Sequence, residues 1–530
     1  MTEMQRPSAL KVFFSSLKMA IATFLSRIFG LVREQVMAAL FGASSLTDAF
    51  LIAFRIPNLM RDLFAEGAFS SAFVPTFVEA KAESQAEARN LMWALFIMLS
   101  VVTGILSLLI FIFAPELVTL FAPTYVAEPE KLEITVNLTR IMSPYLLLVS
   151  LAALFMGALN SLKVFFVPAL APVFLNISMI VSMFYFPGLL EEMGRPGVYA
   201  LGIGATVGGL LQSLVQVPAL FKKGFAPLVP YKIIYARSVK VFKLLGPGLL
   251  GFAATQLNLL ITTILASGTV VGAVSWLSYA FRLFQLPIGI LGVSIGNSHL
   301  VHFSEAWKTN QKEQAVDYLA SSYFLSLFTI FPAVVGLYAF SDEIVHIIYE
   351  RGQFNLEDTK MTALALKCYA LGMPFYSLSK IFVPSFYAIE RQSIPVYSSI
   401  ASIIFNIIFC LAFTEKFGFA VLAVGTSLSM LVGSLIQGHF LMKNLSFPIT
   451  FYFGGKMWKL LLAALSASLM VELTKNLVIF SDLNFLEKLF YLAIFLFMIV
   501  FTYGLCLYIL GERKIINELL QKIRRKFSSI

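Results

Sequence analysis

LMWALFIMLSVVTGILSLLIFIFA, residues 91–114, is an apolar run long enough to cross the roughly 30 Å hydrocarbon layer of a bilayer as one helix. Comparable runs lie at 13–37, 45–77, 134–160, 164–187, 198–221, 239–267, 272–303, 315–340, 360–389, 394–414, 418–442, 456–479 and 485–510, so about 14 transmembrane helices are expected. The runs at 45–77 and 272–303 are long enough to tilt, bend or protrude. The 530 residues are 59% hydrophobic and 13% charged, more apolar surface than a water-soluble core could hide. An all-α integral membrane protein, read as one membrane domain, follows. The first run carries Arg27 and Arg33 with no small-residue cleavage site behind it, so it reads as a retained helix and not a signal peptide.

The net charge of +10 is spread over the loops between spans, which speaks for membrane orientation and against nucleic acid as a partner. With a cytoplasmic N-terminus, roughly 23 basic residues fall inside, against about seven outside: Lys131, Arg195, Arg351, Lys360, Lys416, Lys475 and Lys488. Both termini are therefore expected in the cytoplasm. The tail at 512–530 places Ile516, Leu519, Leu520, Ile523 and Phe527 among lysines and arginines, a pattern that fits either an amphipathic helix on an anionic leaflet or a solvated orientation signal.

The segment FRIPNLMRDLFAEGAFSSAFVPTFVEA at 54–80 is echoed by FRLFQLPIGILGVSIGNSHLVHFSEA at 281–306, an internal repeat with an offset of about 227–230 residues. Arg55 thereby matches Arg282, Pro144 matches Pro374, Pro168 matches Pro395, and Asn176 matches Asn406. A unit of six spans enters and leaves on the same side, so two such lobes should be related by a pseudo-two-fold axis along the membrane normal. The expected organisation is an N-lobe at 1–222, a C-lobe at 223–443, two additional helices at 444–511 and a basic cytoplasmic tail at 512–530.

Charged side chains inside hydrocarbon are costly and mark functional surfaces. They crowd into the first two spans as Arg27, Arg33, Glu34, Asp48, Arg55, Arg61, Asp62 and Glu66, joined in the second half by Arg282 and Lys380. At about 100° per residue, Asp48, Arg55, Asp62 and Glu66 fall within about 40° of one helix face, and Arg27 shares a face with Glu34. Simple charge compensation also accounts for Glu34 and Asp62, each beside an arginine. Arginines at comparable positions in both halves point to a shared cationic cavity. A guanidinium keeps its charge and offers a planar fork of donors matched to phosphate oxygens, so the expected ligand is anionic, a phosphate or a carboxylate. Arg27, Arg33, Arg55, Arg61 and Arg282 are the candidate binding residues; Glu34, Asp48, Asp62, Glu66 and Lys380 are candidates for cavity charge or gating.

No GxxxxGK[ST] phosphate loop is present, which argues against ATP hydrolysis by this chain, and no enzymatic signature is found. His299, His302, His346 and His439 include no HExxH, and His299 and His302 read as interfacial or packing residues. Cys368, Cys410 and Cys506 show no pairing or metal spacing. No metal, cofactor or coupling ion is assigned.

SRIFGLVRE (26–34), FGASSLTDAF (41–50) and RIPNLMRDLFAEGAFSSAFVPTF (55–77) resemble the N-terminal signature of the MurJ (MviN) lipid II flippases. PALAPVFLNISMI (168–180) and SWLSYAFRL (275–283) are similar to later segments of that family, and the resemblance covers essentially the whole chain. It implies membership of the multidrug/oligosaccharidyl-lipid/polysaccharide exporter superfamily. The implied function is transport of the undecaprenyl-pyrophosphate-linked peptidoglycan precursor from the cytoplasmic to the outer leaflet of the bacterial inner membrane, serving cell-wall synthesis and cell shape. The implied partners are lipid II, membrane lipids and cell-wall synthesis proteins. Carried onto matching positions, the resemblance makes Arg27, Arg33, Asp48, Arg61 and Arg282 the candidates for the essential cavity charges, with Glu66 in the same motif. Asp62 stands where some members carry a second arginine, and Phe281 and Gln285 stand where some carry acidic residues. The alternative is a polysaccharide-lipid or multidrug exporter on the same scaffold; a cation pump would need a net acidic cavity, whereas these charges lean basic.

Overall fold

The computed structural model describes residues 9–65, 68–230, 232–241, 243, 260–445, 454–475, 478, 480, 483–513 and 517, with side chains from residue 21 onward except 60, 62–71 and 455. Among them every regular element is helical. In chain order these are α1 (Ala9–Phe41), α2 (Ser45–Ala65), α3 (Ala68–Glu83), α4 (Gln85–Ile112), α5 (Ala114–Phe121), α6 (Pro129–Met142), α7 (Tyr145–Ser161), α8 (Phe166–Glu192), α9 (Tyr199–Leu214) and α10 (Val217–Lys222). After 260–272 follow α11 (Ala273–Pro287), α12 (Val293–Lys308), α13 (Lys312–Ala339), α14 (Ser341–Tyr349), α15 (Leu356–Ala370), α16 (Met373–Ala388), α17 (Ser393–Phe417), α18 (Ala420–Leu445), α19 (Gly455–Lys475) and α20 (Phe485–Ile509).

Ten helices or fused helix pairs among the described residues are long and apolar enough to cross a membrane. The pattern of burial fits lipid as solvent. On α4, Leu91, Leu95 and Leu99 are buried, while Val101, Ile105, Leu108 and Ile112 on another face are exposed. Phe490, Phe497 and Phe501 of α20 are exposed in the same manner. A membrane helix has no polar face to hide, so its outward side stays apolar.

Two expected spans are bipartite. The run 134–160 is made by α6 and α7, which meet at Ser143 and Pro144, and the run 360–389 by α15 and α16, which meet at Leu371 and Gly372. The repeat prolines explain both joints. Pro144 caps α7 and Pro374 stands in the first turn of α16, positions where a missing N–H costs nothing. Pro168 and Pro395 likewise stand in the first turns of α8 and α17, whose Asn176 and Asn406 are both buried. The expected span 45–77 corresponds to α2 and α3, with Glu66 and Gly67 outside the described residues; most of 239–267 and of the tail 512–530 also lies outside them.

Packing divides the chain into two compact units, Met1–Ser275 with Arg351–Phe354, and Trp276–Glu350 with Asn355–Ile530. The lobe boundary expected at 222/223 differs from the packing boundary, which falls at Ser275. Asp48 of α2 holds Gly272 and Ser275, the Ala39 carbonyl of α1 holds Gln353 and Thr124 holds Ser267, so these segments pack with the first unit.

In the first unit, the segment after α10 is pinned to α3 and α4. Arg89 donates to the carbonyls of Ala226 (2.9 Å) and Pro227 (3.1 Å), and the Trp93 indole donates to Ala226 (3.0 Å). Arg237 pairs with Glu83 and Glu87, and Lys240 with Glu79. In the second unit, α19 and α20 pack on α13, where a Cβ added to Gly336 would lie 2.9 Å from Leu496. The short helix α14 is tied at its polar side. Asp342 pairs with Lys367 (2.6 Å), Glu343 with Lys475 (3.0 Å), and His346 bridges Lys488 and Glu350, each at 2.8 Å.

Candidate functional site

α1 lies along α8, and its polar residues are set by that contact. Asn176 donates to the Ser26 carbonyl at 3.4 Å, and Gly30 faces the same amide. Arg33 pairs with the neighbouring Glu34, and its other terminal nitrogen lies 3.8 Å from the sulfur of Met179. Glu34 is buried, while Arg27, one helical repeat earlier on the same side, is exposed. The face shared by Arg27 and Glu34 is thus open at one end and closed at the other by the Arg33–Glu34 pair.

Asp48, in the first turn of α2, is 2% exposed and saturated with donors. Its carboxylate accepts from the N–H of Gly272 (2.7 Å), the N–H of Ser275 (2.9 Å) and the hydroxyl of Ser275 (2.6 Å). Gly272 immediately precedes α11, so these are orphan amides of a helix start, satisfied by a carboxylate from another helix. The cap works in trans. Around it, Thr47 donates to the Gly42 carbonyl (2.9 Å), closing the α1–α2 turn, and Gln353 donates its N–H to the Ala39 carbonyl (2.8 Å). Gly42 and Gly352 meet this contact in the left-handed region, at φ +62° and +60°; a Cβ on Gly352 would lie 2.1 Å from the Ala39 oxygen. Thr124 donates to the Ser267 carbonyl at 2.8 Å.

Arg55 and Arg61 are partly buried on α2. The side chain of Asp62 and the whole of Glu66 lie outside the described residues. In the second unit Arg282 is exposed on α11, and the Lys380 ammonium lies 4.6 Å from the Tyr376 ring centroid. Between α11 and α12, residues Ile288–Gly292 form a π-helical turn after Pro287, a local loosening that is frequent at functional sites. Gly292 and Gly296 beside it admit Ser377 and the Lys380 backbone closely. Four of the five candidate arginines therefore belong to the first unit, and Arg282 with Lys380 to the second.

Among the described residues no cluster of three His, Cys, Asp or Glu side chains is placed to hold a metal. His299 is buried between the hydroxyls of Ser322 (3.1 Å) and Ser385 (2.7 Å), and the His302 ring stacks on Tyr318, so both are packing residues. Sequence reading missed the trans cap. The signal was present in Ser275, a capping residue at the head of an apolar helix, but nothing in the chain names its partner. Arg140, inside the span 134–160, was also passed over.

A polytopic bundle with broken spans, arginines embedded in its first two helices and a carboxylate-capped helix start is the architecture of a membrane transporter. Solved structures agree on the fold: an inward-facing multidrug resistance MATE transporter superposes with a TM-score of 0.66 at 13% identity, covering 82% of this chain and 98% of that one. The sequence model of the family described as "Lipid II flippase MurJ" matches residues 37–502, and the chain belongs to that family. A relative from Burkholderia cenocepacia named "Lipid II flippase MurJ" is 35% identical over 442 residues, 82% of this chain and 84% of the relative. One from Rickettsia prowazekii named "Probable lipid II flippase MurJ" is 36% identical over 423 residues, 79% and 82% of the two chains. A structure described as "Lipid II flippase MurJ, inward closed conformation" superposes with a TM-score of 0.78 at 28% identity, covering 94% of this chain and 99% of that one.

Proposed function

We propose that the chain flips lipid II, the undecaprenyl-pyrophosphate-linked peptidoglycan precursor, from the cytoplasmic to the outer leaflet of the bacterial inner membrane by alternating access. The observation that carries the reading is the family match over residues 37–502. Arg27, Arg33, Arg55, Arg61 and Arg282 supply fixed positive charge for the pyrophosphate, sparing it the cost of bare hydrocarbon, while the prenyl tail stays in lipid beside α19 and α20. Arg33 starts the cycle paired with Glu34, so the substrate must compete for it. Both termini are cytoplasmic in this reading.

We read the two copies of the repeat as related by a pseudo-two-fold axis along the membrane normal, and the spacing of three contacts within the first unit fits that reading. Asp48 and Ser275 occupy equivalent places in the repeat, 227 residues apart, and touch each other, as residues flanking such an axis do. The contacts Ala39–Gln353 and Ser267–Thr124 exchange places under nearly the same offset of about 228 residues. All three lie at the end that the charge asymmetry assigns to the outside. They lie within the first compact unit; alternating access requires some contact at this end to open when the cavity turns outward, and the Asp48 cap is the candidate for it. The sequence carries no GxxxxGK[ST] phosphate loop, and in this reading the drive comes from membrane potential, an ion gradient or consumption of the product outside.

The cellular test is rescue. In cells depleted of the resident lipid II flippase, this chain should restore growth and shape, whereas Arg61→Ala and Arg282→Ala should not. Failure of the unmodified, correctly inserted chain to rescue would overturn the assignment.

A further inference from the structure

A cavity of about 330 Å³ in the first unit, remote in sequence from the candidate arginines of α1 and α2, is lined by Phe111, Asn137, Arg140, Ile141, Arg195 and Tyr199. Phe111 ends α4, Asn137, Arg140 and Ile141 share one face of α6 at i, i+3 and i+4, and Arg195 and Tyr199 lie before and at the start of α9. All these places fall at the outer end of their spans in the orientation read from charge.

The chemistry of the lining is that of an anion site. Arg140 donates through Nε to the Phe111 carbonyl at 3.4 Å and lies 5.8 Å from the Phe111 ring centroid, which fixes its direction while its terminal nitrogens remain available. Among the described residues no carboxylate lies within ion-pair distance of Arg140 or Arg195. Asn137 donates to the Tyr199 hydroxyl at 3.1 Å, so the phenolic proton can point to a further acceptor. Beside this polar lining run exposed apolar rows, Ile105, Leu108 and Ile112 on α4 and Val207 and Leu210 on α9. Two guanidinium forks above an apolar flank match a headgroup oxyanion with hydrocarbon chains attached.

We propose that this cavity binds the phosphate of an anionic membrane phospholipid, with its acyl chains along α4 and α9. Exposed apolar rows of α4 and α9 run beside the open side of the cavity, so the occupant we assign is a bilayer lipid and not the transported head. The site uses none of the residues assigned to lipid II.

The test is native mass spectrometry of the full-length chain in detergent, titrated with phosphatidylglycerol, phosphatidylcholine and inorganic phosphate. One phosphatidylglycerol per chain should bind more tightly than phosphatidylcholine, and Arg140→Gln or Arg195→Gln should weaken it about tenfold each. Arg195 is exposed and makes no side-chain contact that the fold needs, so its variant keeps the protein intact if Arg140→Gln does not. Equal phosphatidylglycerol affinity in the unmodified chain and in Arg195→Gln overturns the site. Displacement of the lipid by inorganic phosphate at matching concentration overturns a lipid as its source.

Discussion

The carboxylate of Asp48 holds Ser275 by both its backbone N–H and its hydroxyl, at 2.9 and 2.6 Å, across 227 residues of chain. A buried carboxylate with three donors gives charge-assisted hydrogen bonds, and none of its donors is solvent. The pair is strong while closed and leaves a bare charge and orphan helix amides when open. That asymmetry suits a closure that exposes itself to water only when the outer side opens.

Ser275→Ala removes one of the three donors and should weaken the closure by about 1–2 kcal/mol without unfolding the chain. Cysteine probes placed at 270 and 271, both exposed loop positions, should then react faster with impermeant reagents from outside. Asp48→Asn, which keeps shape but loses charge, should do so more strongly. Unchanged reactivity in both variants would show that the cap does not limit opening.

Gly352→Ala should be severely disruptive, because it demands φ near +60° and drives a Cβ to 2.1 Å from the Ala39 carbonyl oxygen. The strain alone costs about 1–3 kcal/mol, and the backbone clash adds to it. Gly104→Ala in α4, with nothing within 4 Å of the new carbon, should be neutral or stabilise by about 0.5–1 kcal/mol. Thermal unfolding of the two variants in detergent checks the contrast.

Arg33 and Glu34 can be separated into structure and function by a double substitution. Glu34→Ala alone leaves a mostly buried guanidinium unpaired and should destabilise by about 3–5 kcal/mol. Arg33→Met with Glu34→Leu replaces the pair by packed apolar groups and should recover most of that stability. Transport should remain lost in the double variant, since the cation is gone. Recovery of transport together with stability would reduce Arg33 to a structural role.

Glu350, at the end of α14, supplies the pH dependence. Burial pushes its carboxyl up, but hydrogen bonds from Thr359 and His346 and the charges of His346 and Lys488 outweigh burial and hold it below its ordinary value. Its contribution to stability is therefore complete above the ordinary carboxylate value and is lost as pH falls through the lowered folded one. The difference in Tm between the unmodified chain and Glu350→Gln should be present at neutral pH and shrink on acidification through that window. A difference that grows on acidification would contradict the assignment.

The helical membrane fold was legible because apolar run length is a local property, while the expected repeat rests on Arg55 and Arg282, and Pro144 and Pro374, keeping their order. The breaks at Ser143–Pro144 and Leu371–Gly372 were less so, since hydropathy does not register a helix that stops and restarts within an apolar stretch. Reading α2 as one polar stripe grouped Asp48 with Arg55 by angle, yet Asp48 is enclosed by a segment more than two hundred residues away while Arg55 remains partly exposed. Periodicity assigns a side, but only tertiary contact decides what covers it. Arg140 escaped notice because a lone arginine in an apolar run gains meaning only when Arg195 and Tyr199 are folded against it.

The most direct measurement is lipid II translocation in vesicles containing only this chain, with Arg61→Ala and Arg282→Ala reconstituted at equal density and orientation. The account predicts translocation without added nucleotide by the unmodified chain, and a fall of at least about tenfold in each variant, since each removes a guanidinium that would hold the pyrophosphate. Translocation at the unmodified rate in both variants would contradict it.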